Sequence, residues 1–309
     1  MIENIHEKEG LLLAGENADL RVTGMSATSD GRVLLCDFMN NAVKEWRPAS
    51  PPRILYRSDW QLCSLKTLQD SKQIALLETK PVHTSQKSLS SRLFGAFSLK
   101  NYTFTTRVMV AQINQNNLFI PGLSVTFDEN TSWKWGNVDQ PNSGHLFCSF
   151  SGFHKVHEVE IGQRLKLLKA HQMPSQIRCS ALAKVGDKEI LYVGLYDDTI
   201  RGFQVSHVGV RGSELTQLNS TEVERPVKLL YLPEQSLLLV CCRAAGRKAH
   251  SLQVYKQSPS LTQLNHLGIA VSPEMGFSIF SVCQISDKKI LIFEKNQRKL
   301  MELNLSQFT

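Results

Sequence analysis

A unit that recurs along the chain does most to restrict its fold: an apolar run, a polar turn, a second apolar run, a second polar turn, then a run of alternating polarity. Its fullest copy is residues 22–46, VTGMSATSDGRVLLCDFMNNAVKEW. The β-branched and leucine-rich VLLC and the alternating AVKEW both read as strands. Asp30-Gly31 and Asn40-Asn41 fall between them, and both pairs tolerate the positive φ of hairpin turns. Three strands joined this way form an antiparallel meander whose two faces stay open to water, so it needs a partner sheet or copies of itself. Copies follow at residues 177–205, 227–255 and 277–305. Their first strands begin about 50 residues apart, and a period of about 40–50 residues with four strands per unit marks a β-propeller.

The expected fold is therefore all-β: a six-bladed β-propeller forming one domain over residues 1–309. Blade one ends in an outer strand at 53–56. Blade two opens at 61–68 and is interrupted by a basic, serine-rich insertion at 80–100. Blade three begins at 122–127, followed by a long loop at 128–144. A count of seven stays open because residues 60–160 are irregular. The last unit stops at its third strand, and residues 10–14 (GLLLA) form a short apolar strand with no unit around it. Placed as the missing outer strand, it would close the ring without an exposed edge.

Charge is unevenly distributed. The net charge is +7, and residues 79–127 contain no Asp or Glu but hold Lys80, Lys87, Arg92, Lys100 and Arg107. No apolar run approaches the ~18 residues of a membrane span, so no membrane contact is expected. Seven cysteines form no C-x-x-C pair. They read as free thiols in a reducing compartment, which points to a cytoplasmic protein.

Asp30-Gly31, Asp37, Asn40-Asn41 and Lys44 give residues 22–46 a pattern that resembles an NHL repeat. The place of Asp37 reads as Glu78, Gly194, Cys241 and Glu294 in the other units. The resemblance implies a six-bladed propeller similar to the one at the C-terminus of tripartite-motif proteins, where it binds RNA or protein. The RING and B-box segments of that family have no counterpart here, so its ubiquitin-ligase chemistry is not carried over.

Catalytic patterns are sparse. Propeller enzymes work where the innermost strands begin, and calcium there needs several oxygen ligands. Only Glu274 stands at those starts, where Arg21, Arg178 and Arg225 outnumber it, and Asp59 and Glu224 lie just outside. His154 and His157, with His145 nearby, read as a chance HxxH, so no metal is expected. Neither a G-x-S-x-G elbow nor a phosphate-binding fingerprint occurs. The expectation is a non-enzymatic module without cofactor, a protein-interaction scaffold first and an RNA binder second, without DNA specificity. A metal-dependent propeller hydrolase ranks third. The expected contact surface is one basic loop face carrying Arg21, Lys87, Arg92, Lys100, Arg178, Arg225, Arg243, Arg247 and Lys248.

Overall fold

The computed structural model describes residues 5–6, 21–28, 30–47, 50–68, 72–82, 103–113, 119–131, 136–140, 144–208, 211–244 and 249–308. The chain enters through a short strand, β1 (Ile5–His6), and then builds its blades in order. Blade 1 is β2 (Val22–Ala27), β3 (Val33–Asp37), β4 (Ala42–Arg47) and β5 (Ser50–Arg57). Blade 2 is β6 (Gln61–Thr67), β7 (Gln73–Val82), β8 (Thr103–Ile113) and β9 (Phe119–Thr131). Blade 3 is β10 (Gly136–Asp139), β11 (His145–Phe150), β12 (Lys155–Ile161) and β13 (Leu165–Gln172). Blade 4 is β14 (Ile177–Val185), β15 (Lys188–Leu195), β16 (Thr199–His207) and β17 (Ser213–Glu222). Blade 5 is β18 (Pro226–Leu232), β19 (Leu237–Arg243), β20 (His250–Gln257) and β21 (Leu264–Val271). Blade 6 is β22 (Ile279–Ser286), β23 (Lys289–Glu294) and β24 (Lys299–Asn304). Each blade is an antiparallel meander, and β1 supplies the fourth strand of blade 6 through Ile5↔Leu303 and His6↔Glu302.

The innermost strands touch in a closed cycle, β2 to β6, β10, β14, β18, β22 and back to β2, so the molecule is a six-bladed propeller. Its stability lies between the blades. Six apolar clusters each join two neighbouring blades, as where Leu34, Cys36 and Val43 of blade 1 meet Leu62, Ile74 and Leu76 of blade 2. The second strand of a blade is sandwiched: Leu34 and Cys36 face blade 2, while Val33 and Leu35 face blade 6. Successive side chains of a strand point to opposite faces, so a strand covered on both sides must be apolar throughout. The recurring apolar runs in the sequence are these strands.

Three expectations are corrected. An N-terminal strand does close the ring, but the described one is Ile5–His6, and residues 10–14 lie outside the described residues. Residues 122–127 are not the inner strand of blade three. They belong to β9, which pairs with β8 through Val108↔Val125 as the outer strand of blade 2, where Ile120 and Leu123 remain exposed. Blade 3 starts instead at β10, wedged so tightly that a Cβ on Gly136 would stand 2.6 Å from the Ser149 carbonyl oxygen. Residues 80–82 of the expected insertion are strand, because β7 runs to Val82, and residues 83–100 lie outside the described residues. All seven cysteines are free and buried, and burial pushes the thiols of Cys179 and Cys283 up to about 12. No helix among the described residues is long and apolar enough to cross a membrane.

Candidate functional site

Five of the inner strands carry the same defect near their first residue. The pairing register slips between Val22 and Gly24, Leu62 and Ser64, Ile177 and Cys179, Pro226 and Lys228, and Ile279 and Ser281. A bulge of this kind re-aims the side chain of the skipped residue. Thr23, Cys63, Arg178 and Val227 are four of those skipped residues, and all four line a cavity of about 600 Å3 at the end of the channel where the inner strands begin. Asn137 of β10 and Ile279 of β22 complete the ring, so every blade contributes.

The lining is cationic. Arg21, Arg178, Lys228, Arg243 and Lys295 all face the cavity, and no Asp or Glu lines it among the described residues. Burial lowers the pKa of Lys228, whose ammonium donates to Asn137 Oδ1 at 2.7 Å. Arg178 is braced: its guanidinium lies 4.0 Å from the centre of the Tyr196 ring, Nε donates to the Leu195 carbonyl at 3.3 Å, and Nη2 is 3.5 Å from Asp198 Oδ1. His250 stands among these cations. Burial first, then the charges of Arg243 and Lys295, push its imidazole down to about 4, against the opposing pull of Glu294. Its Nδ1 is buried without a hydrogen-bond partner. A neutral imidazole surrounded by positive charge can take a proton from a bound hydroxyl and leave the resulting oxyanion stabilised.

The carboxylates near this end are held within the fold. The strand register places Asp37, Glu78 and Glu294 opposite Val22, Leu62 and Ile279, whereas blades 4 and 5 have Leu195 and Cys242 there, not Gly194 and Cys241. Asp37 pairs with Lys44 at 3.0 Å and Glu78 with Arg107 at 2.6 Å, while Glu294 accepts from the Ser278 backbone N–H at 2.8 Å. All three are buried. Asp37 and Glu294 fix turns through Asn40 and Gln297, Glu78 also accepts from Ser58 Oγ, and none lines the cavity.

Of the basic residues expected on one face, Arg21, Arg178 and Arg243 are brought together by the cavity. Arg225 is not; its backbone N–H donates to Asp198 Oδ1 at 3.1 Å and its carbonyl accepts from the Arg243 N–H at 3.1 Å. Lys87, Arg92, Lys100, Arg247 and Lys248 lie outside the described residues. Lys228 was missed. Lys228 interrupts the apolar stretch PVKLLYL, and a cation inside an innermost strand was the available signal. The HxxH pair is split: His157 packs against Phe127 and Phe150 at centroid distances of 4.9 and 6.0 Å, away from His145.

No protein-family model and no curated protein sequence matches the chain. Solved structures match its fold. The apo form of a soluble aldose sugar dehydrogenase from Escherichia coli is 9% identical over 93% of this chain and 96% of that one, with a TM-score of 0.64. A glucose dehydrogenase is 9% identical over 94% and 99%, with a TM-score of 0.60. The PQQ-bound aldose sugar dehydrogenase of Streptomyces coelicolor is 7% identical over 94% and 96%, with a TM-score of 0.57. These matches give the NHL resemblance no support. Against the reading as a non-enzymatic interaction module, with RNA binding as its alternative, stand these enzymes of sugar oxidation, which share the fold over nearly all of the chain. That reading weighed the absence of metal-binding carboxylates and did not weigh a cationic cavity around a neutral histidine. At such identities the likeness shows the fold alone: this chain is a six-bladed β-propeller similar in fold to sugar dehydrogenases.

Proposed function

We propose that the axial cavity is the active site of an enzyme acting on a hydroxyl group of a small sugar-like molecule. The cations hold a carboxylate- or phosphate-bearing ligand, and His250 is the general base. The observation that carries this reading is the composition of the lining: five cations, no carboxylate among the described residues, and one imidazole kept neutral by its surroundings. A lining of one charge sign concentrates ions of the other sign and orients them. The sugar dehydrogenase structures support the choice of a hydroxylated substrate.

The quinone cofactor of the Streptomyces structure, PQQ, fits this donor set by charge. It is a tricarboxylate, and Arg21, Arg243 and Lys295 would hold its carboxylates. When bound, such a quinone supplies a two-electron acceptor. The chain's own residues then have separable tasks. Arg178, held flat by Tyr196, and Lys228, anchored on Asn137, position the substrate's oxygens. His250 is the imidazole that accepts the hydroxyl proton.

The test is calorimetric titration of the whole chain with PQQ and, separately, with 6-phosphogluconate, in low salt. Binding of at least one is expected, weakening as salt rises. Arg243→Gln should weaken it about tenfold or more, the worth of one charge-assisted contact. The free protein should show, by NMR titration, a His250 imidazole that is neutral down to about pH 4. Because this value lies below the ordinary ~6.5, the unfolded chain takes up a proton that the folded chain refuses. His250 therefore adds stability above pH ~6.5, and that contribution is lost as the pH falls toward 4. If neither polyanion binds at low salt, or His250 titrates at its ordinary value, the reading fails.

A further inference from the structure

We infer that a second site, separate from the axial cavity, binds a divalent transition metal, zinc by preference, at the seam between blades 3 and 4. Its ligands are His145 of β11, Glu158 of β12 and His207 of β16. One donor atom from each of the three lies within 4.8 Å of the others. Glu158 is fully buried at the floor, while the side chains of His145 and His207 keep 13% and 32% of their surface exposed, which leaves an entry path. His145 Nδ1 is 2.6 Å from Glu158 Oε1. The two imidazole rings meet edge to face with centroids 5.4 Å apart.

The groups around these three residues are arranged as those of metal ligands are. A metal-binding histidine usually donates its other ring N–H to a carboxylate, which fixes its tautomer and orientation. His207 does so: Nε2 is 2.8 Å from Glu189 Oε2, and Nδ1 turns inward to within 2.9 Å of Ser213 Oγ. Glu158 is fixed on every side. Its Oε2 is 3.1 Å from His171 Nε2 and accepts from the Ser213 N–H at 2.8 Å, and its Oε1 accepts from Ser213 Oγ at 2.7 Å. Gly212 makes this possible, because at φ +88° a Cβ there would stand 2.9 Å from Glu158 Oε2.

Two imidazoles and one carboxylate make a three-ligand set that leaves zinc an open fourth position. Calcium and magnesium demand more oxygen ligands than the site has, and imidazole favours zinc, copper and nickel. Zinc bonds of about 2.0–2.2 Å hold donor atoms roughly 3.3 Å apart. Binding therefore parts His145 from Glu158 by a fraction of an ångström and draws His207 inward. Lys169, whose ammonium donates to the Ser213 carbonyl at 3.3 Å, opposes any cation nearby, which favours a metal with strong bonds to nitrogen over one held by charge alone. The bound ion would clip β11 and β12 to β16, adding to the Glu158–Ser213 hydrogen bonds that already join blades 3 and 4.

The experiment uses the full chain, stripped with chelator and titrated with Zn2+ alone. About one tightly held zinc per chain and a raised melting temperature are expected, with Mg2+ and Ca2+ inert. His207→Ala and His145→Ala should abolish tight binding. Glu189→Gln should weaken it about 10–100-fold while leaving the metal-free melting temperature unchanged, and His154→Ala should do nothing. Cobalt(II) added to the unaltered chain should give the intense visible absorption of a tetrahedral site, a readout that needs no variant to fold. Zinc retained in full by the His145/His207 double variant, or a cobalt spectrum no different from that of the aqueous ion, overturns the site.

Discussion

Replacing Glu158 by alanine is expected to remove about 3–5 kcal/mol of stability from the metal-free chain, the loss of one partner from a buried charged network. The carboxylate is fully buried and is touched by four donor groups: His145 Nδ1, His171 Nε2, and the backbone N–H and hydroxyl of Ser213. They come from β11 and β13 beside it in its own blade and from β17 of the next. The register slip between Glu158 and Val159 is the local cause, because it changes where the side chain points. Alanine leaves donors from three strands facing a hole, and no other described residue offers them a carboxylate. Glutamine, which keeps the volume and one acceptor oxygen, should cost less than alanine. Since domains of this kind are stable by about 5–15 kcal/mol, urea unfolding will resolve the two variants. A loss below about 1 kcal/mol for alanine would mean that water replaces the carboxylate and that the seam is not pinned there.

The architecture was legible because of how a propeller is packed. A second strand such as β19, LLLVCCR, is covered on both faces and so appears in the sequence as an unbroken apolar run. What could not be read was the strand without that signal. The inner strand of blade 3 is only GNVD, and its tight fit depends on Gly136 approaching Ser149 across the sheet, which no local pattern announces. The longer β9 took its place in the reading because its length and apolar content resemble those of a core strand, although its outer face is in water. The cavity was half legible: Arg21, Arg178 and Arg243 could be found by asking which residues stand at strand beginnings and ends. Lys228 was lost inside an apolar stretch. The histidine–glutamate seam was invisible for a different reason. Residues 145, 158, 189 and 207 meet only through side-by-side packing of two blades, while the conspicuous pair His154 and His157 is divided by the local backbone.

Lys228→Met is expected to separate stability from function at the axial cavity, and the two effects should have opposite signs. Lys228 reaches from blade 5 to Asn137 of blade 3, and burial lowers its pKa, so its charge is held in an unfavourable place. Asp139 offsets part of that cost, while Arg21, Arg178, Arg243 and Lys295 add like charge around the same cavity. Methionine matches the length of the lysine stem and removes the repulsion together with the desolvation penalty, which for a buried ion is on the order of several kcal/mol. Against this stands the lost hydrogen bond to Asn137, worth about 1 kcal/mol. The balance favours the variant, so its melting temperature should equal or exceed that of the parent. Affinity for a bound polyanion should fall by about 10–100-fold, since a hydrogen bond to a charged group is worth about 1.5–3 kcal/mol. Calorimetric melting and binding titrations on the same preparation decide the matter. If methionine lowers the melting temperature and leaves polyanion affinity intact, Lys228 is a strut across the channel, and the ligand is held without it.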